Sequence, residues 1–204
     1  MTQYPVEYHA KHPQRFSVVQ LALRLVVFIV LGALGISFGL LFFVLYLGLP
    51  AFAAIRIQSG GHQRYLSVDG PNIVGMLRWV AAVCAWTGLV VDRLPQRDPA
   101  ELVTLSVKHW DGQPTPGTAL ARVVTGLPSA LFLLIVGFVG TFVWLWAALS
   151  ILFTHNVGSN AHAFLEGVQR LCLRLLVYQA SLVESTPPAT LQDDAPAPGF
   201  ANQS

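Results

Sequence analysis

The stretch from Leu25 to Ile55, LVVFIVLGALGISFGLLFFVLYLGLPAFAAI, contains no Asp, Glu, Lys or Arg. A second stretch without these residues runs from Val123 to Leu165. Arg24 stands directly before the first stretch, and Arg122 stands directly before the second. A bilayer accepts such runs readily, whereas a soluble domain has too few polar residues here to cover them. The sequence therefore predicts an integral membrane protein.

Composition agrees with this interpretation. The chain has 204 residues, of which 54% are apolar and only 11% charged, against about 25% charged in ordinary soluble domains. The net charge is only +2, and no basic stripe of the kind that binds a phosphate backbone is present, so nucleic acid is not an expected partner. We expect residues 1–17 to form a polar cytoplasmic lead and residues 185–204, rich in Pro and Ala, to form a disordered tail.

Each apolar run is long enough for a helical hairpin. The runs 18–57 and 118–154 are each about twice the roughly 20 residues of one membrane span. Glycines lie at their midpoints, in Gly35-Ile-Ser-Phe-Gly39 and Gly137-Phe-Val-Gly140, and glycine lets a backbone reverse without a side-chain clash. For Gly35 and Gly39 the alternative is a site where another helix approaches closely.

The positive charges favour a one-sided topology. All twelve Lys and Arg residues lie outside the two charge-free runs. If each run is a hairpin, all of them fall on one side of the membrane, which the positive-inside rule assigns to the cytoplasm. We therefore predict a multi-pass protein of the bacterial inner membrane with both termini cytoplasmic.

A third helix is expected after each hairpin, over 72–91 and over 161–183. The second of these combines a broad apolar face with a narrow polar stripe, which is typical of a helix that lies in the membrane interface or closes a helical bundle. Small residues are expected to let helices pack closely, namely Gly35, Gly39, Ala81, Ala85 and Gly88. The polar stripe consists of His162, Glu166, Arg170, Arg174 and Tyr178.

The two halves of the chain match each other. The same number of residues separates Arg78 from Arg170 as separates Asp92-Arg93-Leu94-Pro95 from Glu184-Ser185-Thr186-Pro187. Slightly more residues separate Arg24 from Arg122. We attribute the difference to an insertion in a loop over 58–71. The sequence thus predicts an all-α membrane protein with two tandem repeats, 18–97 and 98–184. Repeat 1 has its hairpin at 18–57 and its third helix at 72–91; repeat 2 has a polar lead at 98–117, a hairpin at 118–154 and a third helix at 161–183.

Several of these segments also resemble a known family. They are Arg15 to Arg24, Gly75-Met-Leu-Arg-Trp79, Val91-Asp-Arg-Leu-Pro95 and Ser150-Ile-Leu-Phe-Thr-His155. They are similar to domain-of-unknown-function family 4389, a family of bacterial membrane proteins, here in two tandem copies. This chain has Leu94 where the family has an aromatic residue. The resemblance implies a membrane location and a helical architecture, and it carries no catalytic residues.

The arginines are the candidate site residues. Arg24, Arg122, Arg78, Arg170 and Arg174 are expected to contact lipid headgroups or the acids of a partner protein. No metal site is expected, because the six histidines lack ligand spacing and none lies in the hydrophobic interior of a run. No cofactor is expected either. Ionisable groups deep in the membrane, which transport requires, are absent from both runs.

These observations predict a protein that is not an enzyme. The expected function is that of an accessory or scaffold subunit in a larger membrane complex, or of a self-assembling membrane protein. Its partners would then be membrane lipid together with other proteins or further copies of itself. One alternative is a lipid-binding or membrane-shaping protein, and another is an enzyme of lipid metabolism that depends on a partner.

Overall fold

The computed structural model describes residues 4–13, 15–107 and 112–192, and these are mostly helical. The order along the chain is strand, three helices, strand, three helices. The strands are β1 (Val6–Ala10) and β2 (Val103–Val107). The helices are α1 (Val18–Ala33), α2 (Phe38–Arg64), α3 (Gly70–Thr87), α4 (Pro116–Thr125), α5 (Leu127–Thr154) and α6 (Ser159–Gln179).

The two strands correct the all-α prediction. β1 and β2 form an antiparallel pair in which Tyr8 lies opposite Leu105. Within each strand, buried residues alternate with more exposed ones, as expected for a strand with one face on a core. Both strands lie in segments that the sequence analysis treated as polar leads. They escaped detection because five residues of alternating pattern give a weak signal beside long apolar runs.

The first apolar run is divided into two helices near its midpoint. α1 ends at Ala33, and the chain turns at Gly35, whose φ is +70°. α1 packs against α5 and α2 packs against α4, so a hairpin of two mutually packed helices stays a prediction. Ser37 begins α2 by accepting a hydrogen bond on Oγ from the Leu40 N–H at 3.0 Å. Of the two alternatives for Gly35 and Gly39, the turn is correct and close packing within the chain is not. A Cβ at Gly35 would meet nothing within 4 Å, and one at Gly39 would meet only Ser37.

The segment 58–71, predicted as a loop, is helical instead. α2 runs to Arg64 and is joined to α3 by a π-helical turn, Tyr65–Asp69. The backbone deviates from helical geometry at Gly61, whose φ is +79°. Tyr65 is fully buried, and its hydroxyl donates to the carbonyl of Ala180. This tertiary contact, together with an ion pair between Arg56 and Asp69 at 2.6 Å, explains why the polar segment is ordered.

The second apolar run does not reverse where the sequence analysis predicted. α5 is continuous through Gly137 and Gly140, and the interruption falls at Gly126, between α4 and α5. Pro128 explains its position, because proline lacks the N–H that would continue the helical ladder from α4. Glycines inside a helix allow a turn but do not require one, so the prediction of a turn at Gly137–Gly140 was wrong.

Part of the predicted disordered tail packs against the protein. The Ser129 hydroxyl donates to the carbonyl of Pro187 at 2.8 Å, and Arg170 Nη1 donates to that of Leu191 at 3.2 Å. The remainder of that prediction, residues 193–204, lies outside the described residues. β1 and this segment cover α6, whose polar stripe is buried along with its apolar face. α6 is thus a central helix of the fold, as expected for a helix that closes a bundle, and its position in the membrane interface stays a prediction.

The core and the exposed apolar surface lie on different helices. α3, α6 and the two strands supply most of the fully buried side chains. α1, α2 and α5 expose large apolar side chains along their length. Two helical stretches, Phe38–Thr87 and Leu127–Thr154, are long and apolar enough to cross a membrane. Only 11% of the most apolar part of the second is buried within the chain.

Candidate functional site: two arginine-capped helix ends

α3 and α6 end in the same way. Beyond α3 the chain turns at Leu89, whose φ is +59°, and beyond α6 it turns at Ser181, whose φ is +57°. In both turns an N–H bonds back to a carbonyl five residues earlier: Val90 to Ala85 at 2.9 Å, and Leu182 to Val177 at 3.3 Å. This is the pattern of a Schellman-type helix end, in which backbone N–H groups beyond the helix bond to carbonyls of its last turn.

Arg24, on α1, donates to carbonyls at and just beyond the end of α3. Its Nε donates to the carbonyl of Trp86 at 2.6 Å, and its Nη2 donates to those of Val91 at 2.7 Å and Asp92 at 3.0 Å. The guanidinium carbon also lies 5.3 Å from the centre of the Trp86 ring. The Asp92 carboxylate is 3.8 Å away, and the arginine is 0% exposed.

Arg122, on α4, does the same at the end of α6. Its Nη1 donates to the carbonyls of Tyr178, at 2.7 Å, and Val183. Its guanidinium carbon lies 4.6 Å from the centre of the Tyr178 ring. The spacing from Trp86 to Tyr178 equals the spacing from Val91 to Val183, so the two arginines contact equivalent positions of the two halves.

A buried cation is favourable at these positions for a physical reason. The last carbonyls of a helix carry a partial negative charge of about half an electron. A guanidinium presents several N–H groups in one plane and remains charged in proteins. Each arginine therefore adds charged hydrogen bonds to carbonyls at and just beyond a helix end, where the backbone carries partial negative charge. The arrangement fixes helix ends and offers no free acid, base or nucleophile.

Two further arginines hold the sheet to the helices. Arg78 Nη2, on α3, donates to the carbonyl of Leu105 at 3.2 Å, and Arg170 Nε, on α6, donates to that of Tyr8 at 3.5 Å. Arg170 also lies 3.6 Å from Glu166. Each of these arginines therefore reaches a strand from the opposite half of the sequence.

The burial of these side chains corrects the prediction of headgroup contact. Arg24, Arg122, Arg170 and Arg174 are all buried, and Arg78 is half-buried. The Arg174 guanidinium carbon lies 5.2 Å from the centre of the Tyr4 ring. The sequence located the arginines that matter to the fold but assigned them to the wrong surroundings, because carbonyl acceptors in distant segments leave no trace in composition.

The buried tyrosines next to this network stay protonated. Burial raises the pKa of Tyr8 above its ordinary value, and the nearby Glu166 raises it further. The hydroxyl donates to Gln169 Oε1 at 2.9 Å, and Gln169 Nε2 in turn donates to the carbonyl of Cys84 at 2.8 Å. Burial likewise raises the pKa of Tyr4, whose hydroxyl donates to the carbonyl of Ser185 at 3.1 Å.

Three of the five predicted packing residues lie in tight contacts. Ala81 and Ala85 are fully buried on α3. A Cβ at Gly88 would collide with the side chain of Gln169 and would approach the Cys84 carbonyl to 2.8 Å. Gly35 and Gly39, in contrast, are exposed.

Sequence reasoning missed two aromatic residues that join the halves. The Tyr46 hydroxyl, on α2, donates to the carbonyl of Val123 at 2.7 Å, and Trp144 Nε1, on α5, donates to that of Thr87 at 2.8 Å. The spacing between these two residues equals the spacing between Arg24 and Arg122. That shared spacing is a signal in the sequence that would have identified them.

Known proteins give no further guidance. Among the described residues, no group of three or more His, Cys, Asp or Glu side chains is placed to hold a metal ion. The search of family models found no match, and neither the curated proteins nor the solved structures contain one similar to this chain. The resemblance to family 4389 therefore stays a prediction.

Proposed function

We propose that the chain is an integral membrane protein with a non-catalytic role, as an accessory or scaffold subunit that packs against a larger membrane complex or against further copies of itself. The observation that carries this proposal is the exposed apolar surface of α1, α2 and α5. Phe153 is 84% exposed, Trp146 is 69% exposed and Ile29 is 70% exposed. Contiguous apolar surface on this scale is rare in monomeric soluble proteins and is typical of contact with lipid or protein.

The use of the arginines supports a scaffold. The cations nearest to the apolar helices, Arg24 and Arg122, bond to helix ends within the chain. The surface that the molecule presents to its surroundings is therefore apolar, and the helices that carry it are joined by internal hydrogen bonds. A subunit of a membrane complex needs such a surface, because small shape differences decide helix packing in lipid.

The repeated contacts support an origin by duplication. Arg24 and Arg122, Arg78 and Arg170, and Tyr46 and Trp144 form three pairs that make the same type of bond in the two halves. In the sheet, Tyr8 lies opposite Leu105, the residue at the equivalent place in its own strand. This is the arrangement of a two-fold dimer whose subunits have been joined into one chain.

We place both chain termini on the cytoplasmic side of a bacterial inner membrane. The start of α1 and the end of α5 lie close together, since the Phe16 N–H donates to the carbonyl of His155 at 2.9 Å. In a membrane they would lie at the same depth, which we call the Phe16 level. Exposed Lys and Arg residues flank the Phe16 level at Lys11, Arg15 and Arg93. The positive-inside rule then assigns the Phe16 level to the cytoplasm.

Two measurements on the expressed full chain test the location. After alkaline carbonate extraction, the protein should remain in the membrane pellet. In a background with Cys84 and Cys172 changed to Ala, a cysteine at Ser37 should resist a membrane-impermeant thiol reagent added to inverted vesicles. Cysteines at Gln96 and Ser159 should react, and these are the matched controls. Release by carbonate would refute the membrane location, whereas a reactive Ser37→Cys would refute only the topology.

Native mass spectrometry of the gently extracted protein tests the role. A partner at fixed stoichiometry, or a defined homo-oligomer, is the expected result. A monomer that carries only lipid would overturn the scaffold proposal and favour the second candidate.

That second candidate is a membrane-shaping protein, and one observation favours it. α1 has only 16 residues, which at 1.5 Å per residue gives about 24 Å, less than the roughly 30 Å hydrocarbon core. A hairpin shorter than the core thins the bilayer around it. Electron microscopy of vesicles that contain the purified chain tests this, since a shaping protein changes vesicle diameter and a scaffold does not.

A further inference from the structure

Of the four exposed arginines in the described part of the chain, Arg64 lies at the end of α2 and the other three lie before α1 and after α3: Arg15, Arg93 and Arg97. We refer to these three as the basic collar. In the described part of the chain no acidic side chain forms an ion pair with any of them. Their charges are therefore available to a ligand.

Two contacts bring the collar segments together. The Ser17 N–H donates to Asp92 Oδ1 at 3.0 Å, which places the residue before Arg93 against the residue two positions after Arg15. The Phe16 N–H bonds to the carbonyl of His155, which adds the end of α5 to the same edge. Asp92 does not neutralise the collar, because its carboxylate already accepts from Ser17 and lies 3.8 Å from the buried Arg24.

Exposed apolar side chains lie on the helix turns next to the collar segments. Val19, on the first turn of α1, is 76% exposed, and Phe153, in the last turn of α5, is 84% exposed. Cations directly beside apolar side chains match the chemistry of a phospholipid, which has a phosphate directly beside its acyl chains. A soluble phosphate compound would use the cations and leave the apolar side chains uncovered.

The second half has no counterpart of the collar. At the positions equivalent to Arg15, Arg93 and Arg97 it has Gln113, Ser185 and Ala189, which are all uncharged. The halves thus share their internal arginine bonds but differ at the membrane border. A feature that serves only to hold the fold together would be expected in both halves.

We infer that the basic collar binds the phosphate of anionic phospholipids, with the acyl chains against Val19 and Phe153. This inference rests on the proposed membrane location. Guanidinium groups bind phosphate oxygens in a bidentate manner, and each interfacial arginine gives about a fivefold preference for an anionic lipid. The site is therefore expected on one half of the molecule only.

The test compares phosphatidylglycerol with phosphatidylcholine. The full chain is purified in mild detergent, and equal amounts of the two lipids compete for it in native mass spectrometry. The double variant Arg15→Gln/Arg93→Gln is compared with the control Arg64→Gln, which removes an exposed cation at the end of α2, outside the collar. We expect the preference for phosphatidylglycerol to fall roughly 25-fold in the collar variant, about fivefold for each arginine removed, and to stay unchanged in the control.

Three results would overturn the inference. The first is an unchanged lipid preference in the collar variant, and the second is an equal loss of preference in the control. The third is that inorganic phosphate alone raises the Tm of the protein as much as phosphatidylglycerol does. A protein that carbonate releases from the membrane refutes the location itself. A protein that stays in the membrane without lipid preference refutes only the collar. Comparable Tm values of the two variants establish that both are folded.

Discussion

Tyr8 lies directly opposite Leu105 in the two-stranded sheet, and the carbonyl of each accepts a hydrogen bond from an arginine of the opposite half. Arg170 reaches Tyr8 from α6, and Arg78 reaches Leu105 from α3. The strands thus pair with each other, and each is also bonded to a helix in the half of the chain that contains the other strand. Because every such bond crosses between halves, neither half can complete its hydrogen bonding alone, and the chain should unfold as one cooperative unit.

The strand register predicts a specific disulfide. His9 lies opposite Thr104, and both are exposed. With Cys84 and Cys172 changed to Ala, the double variant His9→Cys/Thr104→Cys should form an intramolecular disulfide on mild oxidation, since directly paired strand residues have the required Cβ separation. The faster-migrating band on non-reducing gels measures it.

Its control uses the opposite face of the same strand. In His9→Cys/Val107→Cys the second cysteine is three positions away and points to the other side of the sheet, so no disulfide should form. Equal oxidation of the two variants would mean that the strands are not paired in this register.

Loss of a capping arginine should destabilise the fold strongly. Arg24→Met keeps most of the side-chain volume but removes the bonds to the carbonyls of Trp86, Val91 and Asp92, of which Trp86 keeps a backbone donor in the turn. Hydrogen bonds to a charged group contribute about 1.5–3 kcal/mol each, so we expect the free energy of unfolding to fall by about 3 kcal/mol. Thermal or denaturant unfolding of the protein in mild detergent measures this loss.

Arg122→Met should cost a similar amount, because it removes the equivalent bonds at the end of α6. The control is Arg97→Gln, an exposed arginine whose loss should change stability by less than about 0.5 kcal/mol. If Arg24→Met behaves like that control, the guanidinium bonds contribute nothing to stability and the capping interpretation fails.

The helices could be predicted from the sequence because their signals are local. Long apolar runs and the polar stripe on α6 placed the start of α1, the end of α5, and the bounds of α3 and α6 within about four residues of those observed. The end of α2 was predicted seven residues too early, and the start of α5 was not predicted. For Gly35 the sequence left two alternatives, a turn or a close helix contact, and only the structure distinguished between them. Glycine permits a reversal, while the backbone conformation that it adopts depends on what surrounds it.

The arginine sites could not be predicted, because their partners are distant backbone atoms. Arg24 is separated by more than 60 positions from the carbonyl of Trp86 that it bonds, and any residue type has such a carbonyl. Sequence alone therefore suggested lipid phosphate as the ligand. The separation of Arg24 from Arg122 equals that of Tyr46 from Trp144. This equal separation could have indicated that each pair makes equivalent contacts inside the molecule.

Two glycines of similar appearance in the sequence should respond differently to alanine. A Cβ at Gly126 would lie 2.5 Å from Gln179 Nε2 and 2.9 Å from the carbonyl of Arg122, whereas one at Gly137 would meet nothing within 4 Å. Gly126→Ala should lower the free energy of unfolding by about 1–3 kcal/mol through overpacking. Gly137→Ala should be neutral or stabilising by up to about 1 kcal/mol, since alanine favours helix.

Unfolding of both variants in the same detergent gives the comparison. Equal destabilisation would indicate that α5 is not a continuous helix through Gly137. Equal neutrality would indicate that α4 and α6 do not approach each other at Gly126.

Stability should decrease below neutral pH through His12. Its ring packs edge-on against His162 with the ring centroids 4.0 Å apart. Partial burial and the neighbouring His162 lower the pKa of His12, while Glu166 opposes the shift. Because the folded state favours neutral His12, the unfolded state binds the proton more readily, and stability is lost as pH falls below the ordinary value of about 6.5.

The Tm measured between about pH 8 and pH 5 checks this direction. His12→Gln cannot be protonated, so its Tm should fall less over this range than that of the unaltered chain. His62→Gln, which removes a histidine of α2 away from this pair, should keep the full decrease. If His12→Gln loses as much stability at low pH as the unaltered protein, the acid sensitivity arises elsewhere and the contact between His12 and His162 does not respond to protonation.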